Sequence, residues 1–310
     1  MVGLWPTADG RPTGEQGGPV KGLKPTFISI LAVGLLAGSA VGAPAQDVVE
    51  PSSASAGCDG PLAEPGVYDG INELSVLARD VVQPYRVVVP PGYAERAPMP
   101  LILFPAAGDG NLDGAFRESR PYLEPSESIF VMAAQDRFGH STTATLTALL
   151  DRLEAEYCID LRRVHAMGLS SGGQTVTTLT CGASERIASF HVGASGFSHR
   201  GCAPERAVPL MVMSSGPEQG TISRSVEKWA EAYGCEGDPV IEDLGARVTR
   251  TDFQGCLADF VFYVIEDAGH GFILHECLGG EFEAHCYTNE VFDQLREMER
   301  FFTEHPLPAE

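Results

Sequence analysis

Ser170 lies at the centre of the segment GLSSG, residues 168–172, which fits the pattern Gly-x-Ser-x-Gly. A serine hydroxyl is a weak nucleophile, and it attacks a carbonyl carbon readily only when a neighbouring base accepts its proton. Glycines two residues before and after the serine allow the sharp backbone turn that exposes such a hydroxyl. Because glycine makes up 35 of the 310 residues, the pattern alone is a weak indication, and the flanking segments must decide.

Those segments predict a strand before Ser170 and a helix after it. Residues 162–167 (RRVHAM) are typical of a buried strand, and residues 174–182 (QTVTTLTCG) are typical of a helix. A nucleophile elbow has this order of strand, tight turn and helix. The first turn of such a helix also directs free N–H groups toward a developing oxyanion. We therefore predict that Ser170 is a nucleophile.

His270 is the predicted base. It follows the apolar strand Phe260–Ile265 in the loop EDAGHGF, 100 residues after Ser170. In a fold with this kind of elbow, the histidine comes late in the chain, after the last core strand. His165 and His191 lie within apolar strands instead, and we predict that both are buried structural residues.

The third member of a catalytic triad is an acid that orients the histidine. We expect it in the loop after the strand Pro209–Ser214, where Glu218 is the only carboxylate. Asp243, Asp252 and Asp267 remain alternatives.

An oxyanion hole needs two N–H donors. We assign one to Ser171 and the other to Ala106 or Ala107, in the loop after the strand Leu101–Phe104. Asp109, in the same loop, and Phe272, two residues after the histidine, are assigned to the substrate-binding surface.

Strand and helix patterns alternate over about 240 residues, which predicts an α/β fold with a mainly parallel sheet and helices on both faces. Several strands are continuously apolar, as expected when both faces of a sheet are covered. Residues 58–310 form one predicted domain. The predicted strands are Tyr85–Val89, Leu101–Phe104, Ile129–Ala134, Arg163–Met167, Ala188–Gly193, Pro209–Ser214 and Phe260–Ile265, and further helices are predicted at 141–158, 223–234 and 289–305.

The first 45 residues have the features of an N-terminal extension followed by a secretory signal. Lys21 and Lys24 precede an uncharged apolar run that ends in Ala43-Pro44-Ala45. We predict cleavage after Ala45, a linker over residues 46–57, and a secreted or periplasmic protein without stable membrane insertion. An uncleaved membrane anchor is the alternative.

The net charge limits the possible partners. A formal net charge of −21 repels phosphate backbones, so nucleic acid is excluded as a partner.

Eight cysteines in an exported chain indicate disulfides, and we favour Cys277–Cys286 and Cys235–Cys256 because each closes a short loop. His275 and His285 lie beside the first of these pairs, but an oxidising compartment disfavours a zinc site.

Six segments together resemble the secreted polyhydroxybutyrate depolymerase and feruloyl or acetylxylan esterase group of α/β-hydrolases. The resemblance covers about residues 56–304, and its most specific part lies in DRLEAEYCIDLRRVHAMGLSSGG. The other segments are SAGCDGPLAEPGVY, PYRVVVPPGY, PLILFPAAGDG, VPLMVMSSGPEQGTIS and EDAGHGF. The resemblance implies ester hydrolysis through an acyl-enzyme, with Ser170 as nucleophile and His270 as base. It implies polyesters or feruloyl- and acetyl-polysaccharide esters as substrates, and a reaction that needs no metal or cofactor.

The chain departs from that family at three places. Pro105-Ala106 stands where the family usually has His-Gly in the oxyanion loop. Gln219 stands at the position of the usual aspartate, so that Glu218 would have to act from one residue earlier. Gly271-Phe272 follows the histidine where the family often has Trp-Pro. These departures leave a non-catalytic binding protein of the same fold as an alternative function. A serine peptidase of the same fold, which would keep the triad but act on another substrate, is a second alternative.

Overall fold

The computed structural model describes residues 53–76, 79–108, 111–135, 143–196, 204–277 and 285–309. The predicted signal sequence, most of the predicted linker, Asp109 and Cys202 lie outside these residues. Within them, no helix combines the length and the apolar character needed to span a membrane.

A ten-stranded sheet forms the centre of the fold. The strands are β1 (Gly66–Val76), β2 (Arg79–Val89), β3 (Met99–Pro105), β4 (Ile129–Ala133), β5 (Ile159–Leu169), β6 (Phe190–Gly193), β7 (Leu210–Ser215), β8 (Gly237–Gly245), β9 (Val248–Gln254) and β10 (Phe260–Ile265). They lie side by side in the order β1-β2-β4-β3-β5-β6-β7-β10-β9-β8. The six central strands, β4-β3-β5-β6-β7-β10, are parallel, and the pairs at both edges are antiparallel. A separate pair, β11 (Phe272–Leu274) and β12 (Cys286–Thr288), is parallel.

Helices cover both faces of the sheet, as predicted. In β3, Leu101 and Leu103 belong to one core cluster, and Ile102 and Phe104 belong to the other. This alternation places the two clusters on opposite faces. The helices are α1 (Tyr93–Arg96), α2 (Leu112–Leu123), α3 (Thr143–Glu156), α4 (Ser171–Gly182), α5 (Gln219–Ala232) and α6 (Gln294–Glu304). The apolar sides of α3, α4 and α5 join the first cluster, and those of α2 and α6 join the second.

Helix α6 begins five residues later than the sequence pattern predicts. The Asn289 side chain accepts hydrogen bonds from the backbone N–H groups of Val291 and Phe292, each at 3.0 Å, and holds a turn there. The Asp293 side chain then accepts from the Arg296 N–H at 3.1 Å and caps the helix. Side chains that bond nearby backbone in this way favour turns and helix starts over helix interiors.

The end of the predicted linker belongs to the folded unit. Ser55 is buried, and its hydroxyl donates to the Tyr157 carbonyl at 2.6 Å and accepts from the Ile159 N–H at 2.9 Å. The prediction of a linker as far as residue 57 is therefore wrong for its last residues, because their polar groups bond the start of β5.

Three disulfides have both of their cysteines within the described residues. Cys235–Cys256 and Cys277–Cys286 are both present, which confirms the two favoured pairs. Cys58–Cys158, which was not predicted, joins residues 100 positions apart. Cys181 is also disulfide-bonded. The Cys277–Cys286 bond uses both thiols that the alternative zinc site would need.

Candidate active site

Ser170 lies on the sharp turn between β5 and α4. Its backbone angles are φ 53° and ψ −127°, a conformation that non-glycine residues rarely adopt. The surrounding backbone holds it there, because the Ser170 N–H donates to the Gly193 carbonyl at 3.1 Å and its own carbonyl accepts from Gly173 at 3.0 Å. Strain of this kind persists only where neighbouring structure imposes it, and it is concentrated at functional sites.

The two glycines of the Gly-x-Ser-x-Gly pattern are required by close backbone contacts. A Cβ atom on Gly168 would collide with the carbonyl oxygen of Gly172 across the turn. A Cβ atom on Gly172 would lie 2.5 Å from the Pro105 carbonyl oxygen, at the end of β3. The elbow is thus packed against itself on one side and against the neighbouring strand on the other.

Glu218 contacts His270 through a hydrogen bond between Oε1 and ring Nδ1. The sheet explains this contact, because β7 and β10 are adjacent parallel strands whose last residues, Ser215 and Ile265, are paired. The loops that carry Glu218 and His270 therefore leave the same edge. Since a carboxylate only accepts, the Nδ1–H donates this bond, and Nε2 is the ring nitrogen that Glu218 does not contact.

Ser170 and His270 line one cavity of about 270 Å³. Its wall includes Phe104 and Phe272, whose rings meet edge to face with centroids 6.3 Å apart. In the described part of the chain no hydrogen bond joins the Ser170 hydroxyl to the His270 ring, although both groups face the same space. Such hydrogen bonds are often long before substrate binds.

The loop after β3 retains one of the two residues that were candidates for its oxyanion donor. The Ala106 N–H donates to the Ala133 carbonyl at 2.8 Å, so Ala106 is not a donor to a substrate, and that alternative is wrong. Ala107 lines the cavity and is the remaining candidate from this loop. Ser171 is the first residue of α4, where the leading N–H groups of a helix have no intrahelical acceptor.

Gln135, which follows β4, supports this loop through side-chain hydrogen bonds, a role that the sequence did not indicate. Its amide donates to the Ala106 carbonyl at 2.5 Å, and its carbonyl accepts from the Thr175 hydroxyl of α4 at 3.1 Å. The Ser171 hydroxyl adds a bond to the Gly108 carbonyl at 3.3 Å. These hydrogen bonds connect the loop that carries Ala107 with the start of α4, which carries Ser171.

Helix α2 supplies another part of the cavity that the sequence did not predict. Asn111 caps the helix by accepting from the Gly114 N–H at 3.2 Å, and both residues line the cavity. Ala115 and Ser119 follow on the same face, with Ser119 buried at 3 % exposure. Residues spaced by four along a helix share a face, so the spacing could have linked these residues had the helix been recognised.

The other acids lie elsewhere. Asp243 accepts from the Gly245 N–H at 2.9 Å, Asp252 pairs with Arg250 at 2.7 Å, and Asp267 pairs with Arg247 at 3.2 Å. Gln219, which stands at the family's aspartate position, is exposed at the start of α5. Glu218 is therefore the acid that the structure brings to His270.

The two histidines predicted to be structural are buried and hydrogen-bonded. Burial lowers the pKa of His165 to about 3 and the pKa of His191 to about 4, because each charged ring would lose its hydration. His165 contacts the Ser189 hydroxyl at 2.9 Å, and the rings of His165 and Phe302 stack.

Comparisons with known proteins find matches in structure but none in sequence. No protein-family model matches the chain, and no curated protein matches it in sequence. Esterase 2 of the planctomycete Thermogutta terrifontis is 14 % identical, with 77 % of this chain and 92 % of that chain covered and a TM-score of 0.50. A thermostable esterase is 16 % identical with a TM-score of 0.49, and the match covers 77 % of this chain and 63 % of that one. At 14 % identity the likeness to the Thermogutta terrifontis enzyme concerns the fold alone. Together with the sheet order and the strand–turn–helix at Ser170, it shows that the chain has the α/β-hydrolase fold.

Proposed function

We propose that the protein is a serine carboxylic-ester hydrolase in which Ser170, His270 and Glu218 form the triad. The observation that supports this most directly is the Glu218–His270 contact at the cavity that also holds Ser170 on its strained turn. A histidine with the proton fixed on Nδ1 by a carboxylate is the arrangement that lets Nε2 accept a serine proton.

The proposed cycle has two halves. His270 Nε2 takes the Ser170 hydroxyl proton as Oγ bonds to the ester carbonyl carbon, and the Ser171 and Ala107 N–H groups bind the oxyanion. The carbon–oxygen bond to the alcohol then breaks, and the imidazolium returns its proton to the departing alkoxide. In the second half, a water oxygen attacks the acyl carbon while His270 Nε2 takes a water proton. The bond between that carbon and Ser170 Oγ then breaks, and the imidazolium gives its proton to Oγ, which releases the carboxylic acid and regenerates the serine.

The cavity favours a small acyl group with the rest of the substrate outside. Its volume of about 270 Å³ is small, and the side chain of His270 is 49 % exposed, so the reacting centre opens toward solvent. A polymer could lie across this surface while one acyl unit enters. We propose polyester or feruloyl- and acetyl-polysaccharide esters as substrates, met outside the cytoplasm after export.

Hydrolysis of p-nitrophenyl acetate and butyrate tests the reaction. The wild type should turn both over, and Ser170→Ala should abolish turnover while Ser225→Ala, a serine exchange on α5, leaves it unchanged. Equal rates in the wild type and Ser170→Ala would rule the mechanism out. Release of monomers from polyhydroxybutyrate, or of ferulate or acetate from xylan, then identifies the substrate.

A fluorophosphonate probe separates this proposal from a non-catalytic binding protein, because only an activated serine is labelled. The departure at Pro105-Ala106 is the feature that favours the binding protein. Labelling of the wild type that disappears in Ser170→Ala would exclude it, and cleavage of a p-nitroanilide peptide faster than of the esters would indicate the peptidase instead.

A further inference from the structure

Gln294, the first residue of α6, is completely buried and bonds in two directions. Its side-chain carbonyl accepts from the backbone N–H of Ile273 at 3.2 Å. Its amide nitrogen lies 2.9 Å from Nε2 of His191, which is also completely buried. The other ring nitrogen of His191 lies 3.2 Å from the Met211 carbonyl oxygen on β7. Buried polar groups that are all satisfied in this way fix one arrangement of their neighbours.

The direction of each bond follows from the chemistry of its ends. A carbonyl oxygen only accepts, so His191 Nδ1 carries the proton and donates to Met211. Nε2 of His191 then accepts from the Gln294 amide, which leaves the Gln294 carbonyl for Ile273. This assignment needs a neutral imidazole, and burial provides one by lowering the pKa of His191 to about 4.

The two ends of this chain of hydrogen bonds lie close in sequence to the two proposed reacting residues. His191 is on β6, two residues before Gly193, whose carbonyl accepts the Ser170 N–H. Ile273 is on β11, three residues after His270. The hydrogen bonds therefore connect the backbone that supports the serine with the backbone that follows the histidine.

We propose that His191 and Gln294 are positioning residues, which hold the His270 segment against the strand that supports Ser170. This inference rests on the proposed function. Neither residue is among those that line the cavity, so both would act through backbone placement. A displacement of about 1 Å between reacting groups can reduce turnover on the order of 100-fold, so a device that removes such freedom has a measurable effect.

Gln294→Leu and His191→Gln test the inference, with His165→Gln as the matched control. His165 is equally buried on the neighbouring β5 and also contacts α6, through Phe302, but its hydrogen bond leads to Ser189 instead of the site. All three variants should unfold at lower temperature. We expect the first two to lower kcat on the order of 10- to 100-fold with little change in KM, and the control to keep kcat within about threefold. An equal fall in all three, or unchanged kcat in Gln294→Leu, would overturn the inference.

A second measurement needs no substrate. The Nδ1 proton that His270 shares with Glu218 should give a low-field proton NMR signal, assigned by its loss in His270→Ala. We expect this signal to shift or to broaden by exchange in Gln294→Leu and His191→Gln, and to persist in His165→Gln. If the wild type hydrolyses no ester, the proposed function fails, and the inference about positioning is then decided by this signal alone. A signal unchanged in all three variants would refute it.

Discussion

Glu218→Gln is the substitution that most directly tests the proposed triad. The exchange keeps the shape of the side chain but removes its charge. The Ser215 hydroxyl donates to the other Glu218 oxygen at 3.4 Å, so the new amide would keep its carbonyl toward Ser215 and turn its NH₂ group toward His270. An NH₂ group at Nδ1 moves the ring proton to Nε2, and that nitrogen can then no longer accept the Ser170 proton.

The expected magnitude follows from the exposure of the pair. Loss of a fully buried orienting carboxylate costs about 10⁴ in kcat. Here the side chains of Glu218 and His270 are 26 % and 49 % exposed, so water takes over part of the role. We expect a fall in kcat of about 10³, equivalent to about 4 kcal/mol of transition-state stabilisation.

The assay is kcat and KM for p-nitrophenyl butyrate, with the unfolding temperature as a check on folding. Asp267→Asn is the matched control, since this acid lies three residues from His270 but pairs with Arg247. The control should keep kcat within about threefold, because exposed ion pairs contribute little. A Glu218→Gln enzyme with near-wild-type kcat, or a control that loses as much, would refute this assignment of the acid.

Three further outcomes are expected. Ala115→Leu should narrow the cavity and change the kcat/KM ratio of p-nitrophenyl acetate to butyrate by about 10- to 100-fold in favour of acetate. Because His165 has its pKa lowered from 6.5 to about 3, the unfolded state binds more protons, and stability falls as the pH drops below about 6.5. His165→Gln should therefore reduce the acid dependence of the unfolding free energy by about 1.4 kcal/mol per pH unit between pH 6 and 4.5, as measured by urea titration. Replacing both Cys58 and Cys158 by serine should cost about 4.7 kcal/mol in the same titration, against about 2.6 kcal/mol for Cys277–Cys286, because the first bond closes a loop of 100 residues and the second a loop of 9. The opposite order would contradict the loop-closure reasoning.

The core of the sheet could be predicted from the sequence because its strands are covered on both faces. Leu101–Phe104, Arg163–Met167 and Phe260–Ile265 all lie within observed strands, and their apolar runs follow from burial on both sides. The order strand, GLSSG, helix likewise placed Ser170 on a tight turn. These features depend on residues close together in the sequence, where side-chain pattern alone carries the information.

The edges of the fold could not be predicted in this way. In β8 nearly every residue is exposed, with Ile241 at 66 %, so its sequence lacks the apolar signal of a buried strand. Helix α2 was missed because Gly114 and Pro121 lower its helix propensity, while its stability comes from the Asn111 cap and from packing of Phe116. The Cys58–Cys158 bond was missed because loop length gave no reason to join residues so far apart.

The departures at the site concern side chains, and other contacts support the backbone around them. Glu218 precedes the usual acid position by one residue, and a glutamate side chain is one methylene longer than aspartate, so the greater reach offsets the shift and the carboxylate still contacts His270. In the oxyanion loop, Pro105 keeps its carbonyl packed against Gly172, and Gln135 holds the Ala106 carbonyl, so the backbone is supported without the usual His-Gly pair. Since an oxyanion hole uses backbone N–H groups, support of the backbone matters more here than the identity of the side chain. The same reasoning explains why Ala106 itself is not a donor: its N–H extends the sheet bonding to Ala133 and anchors the loop from which Ala107 reaches the cavity.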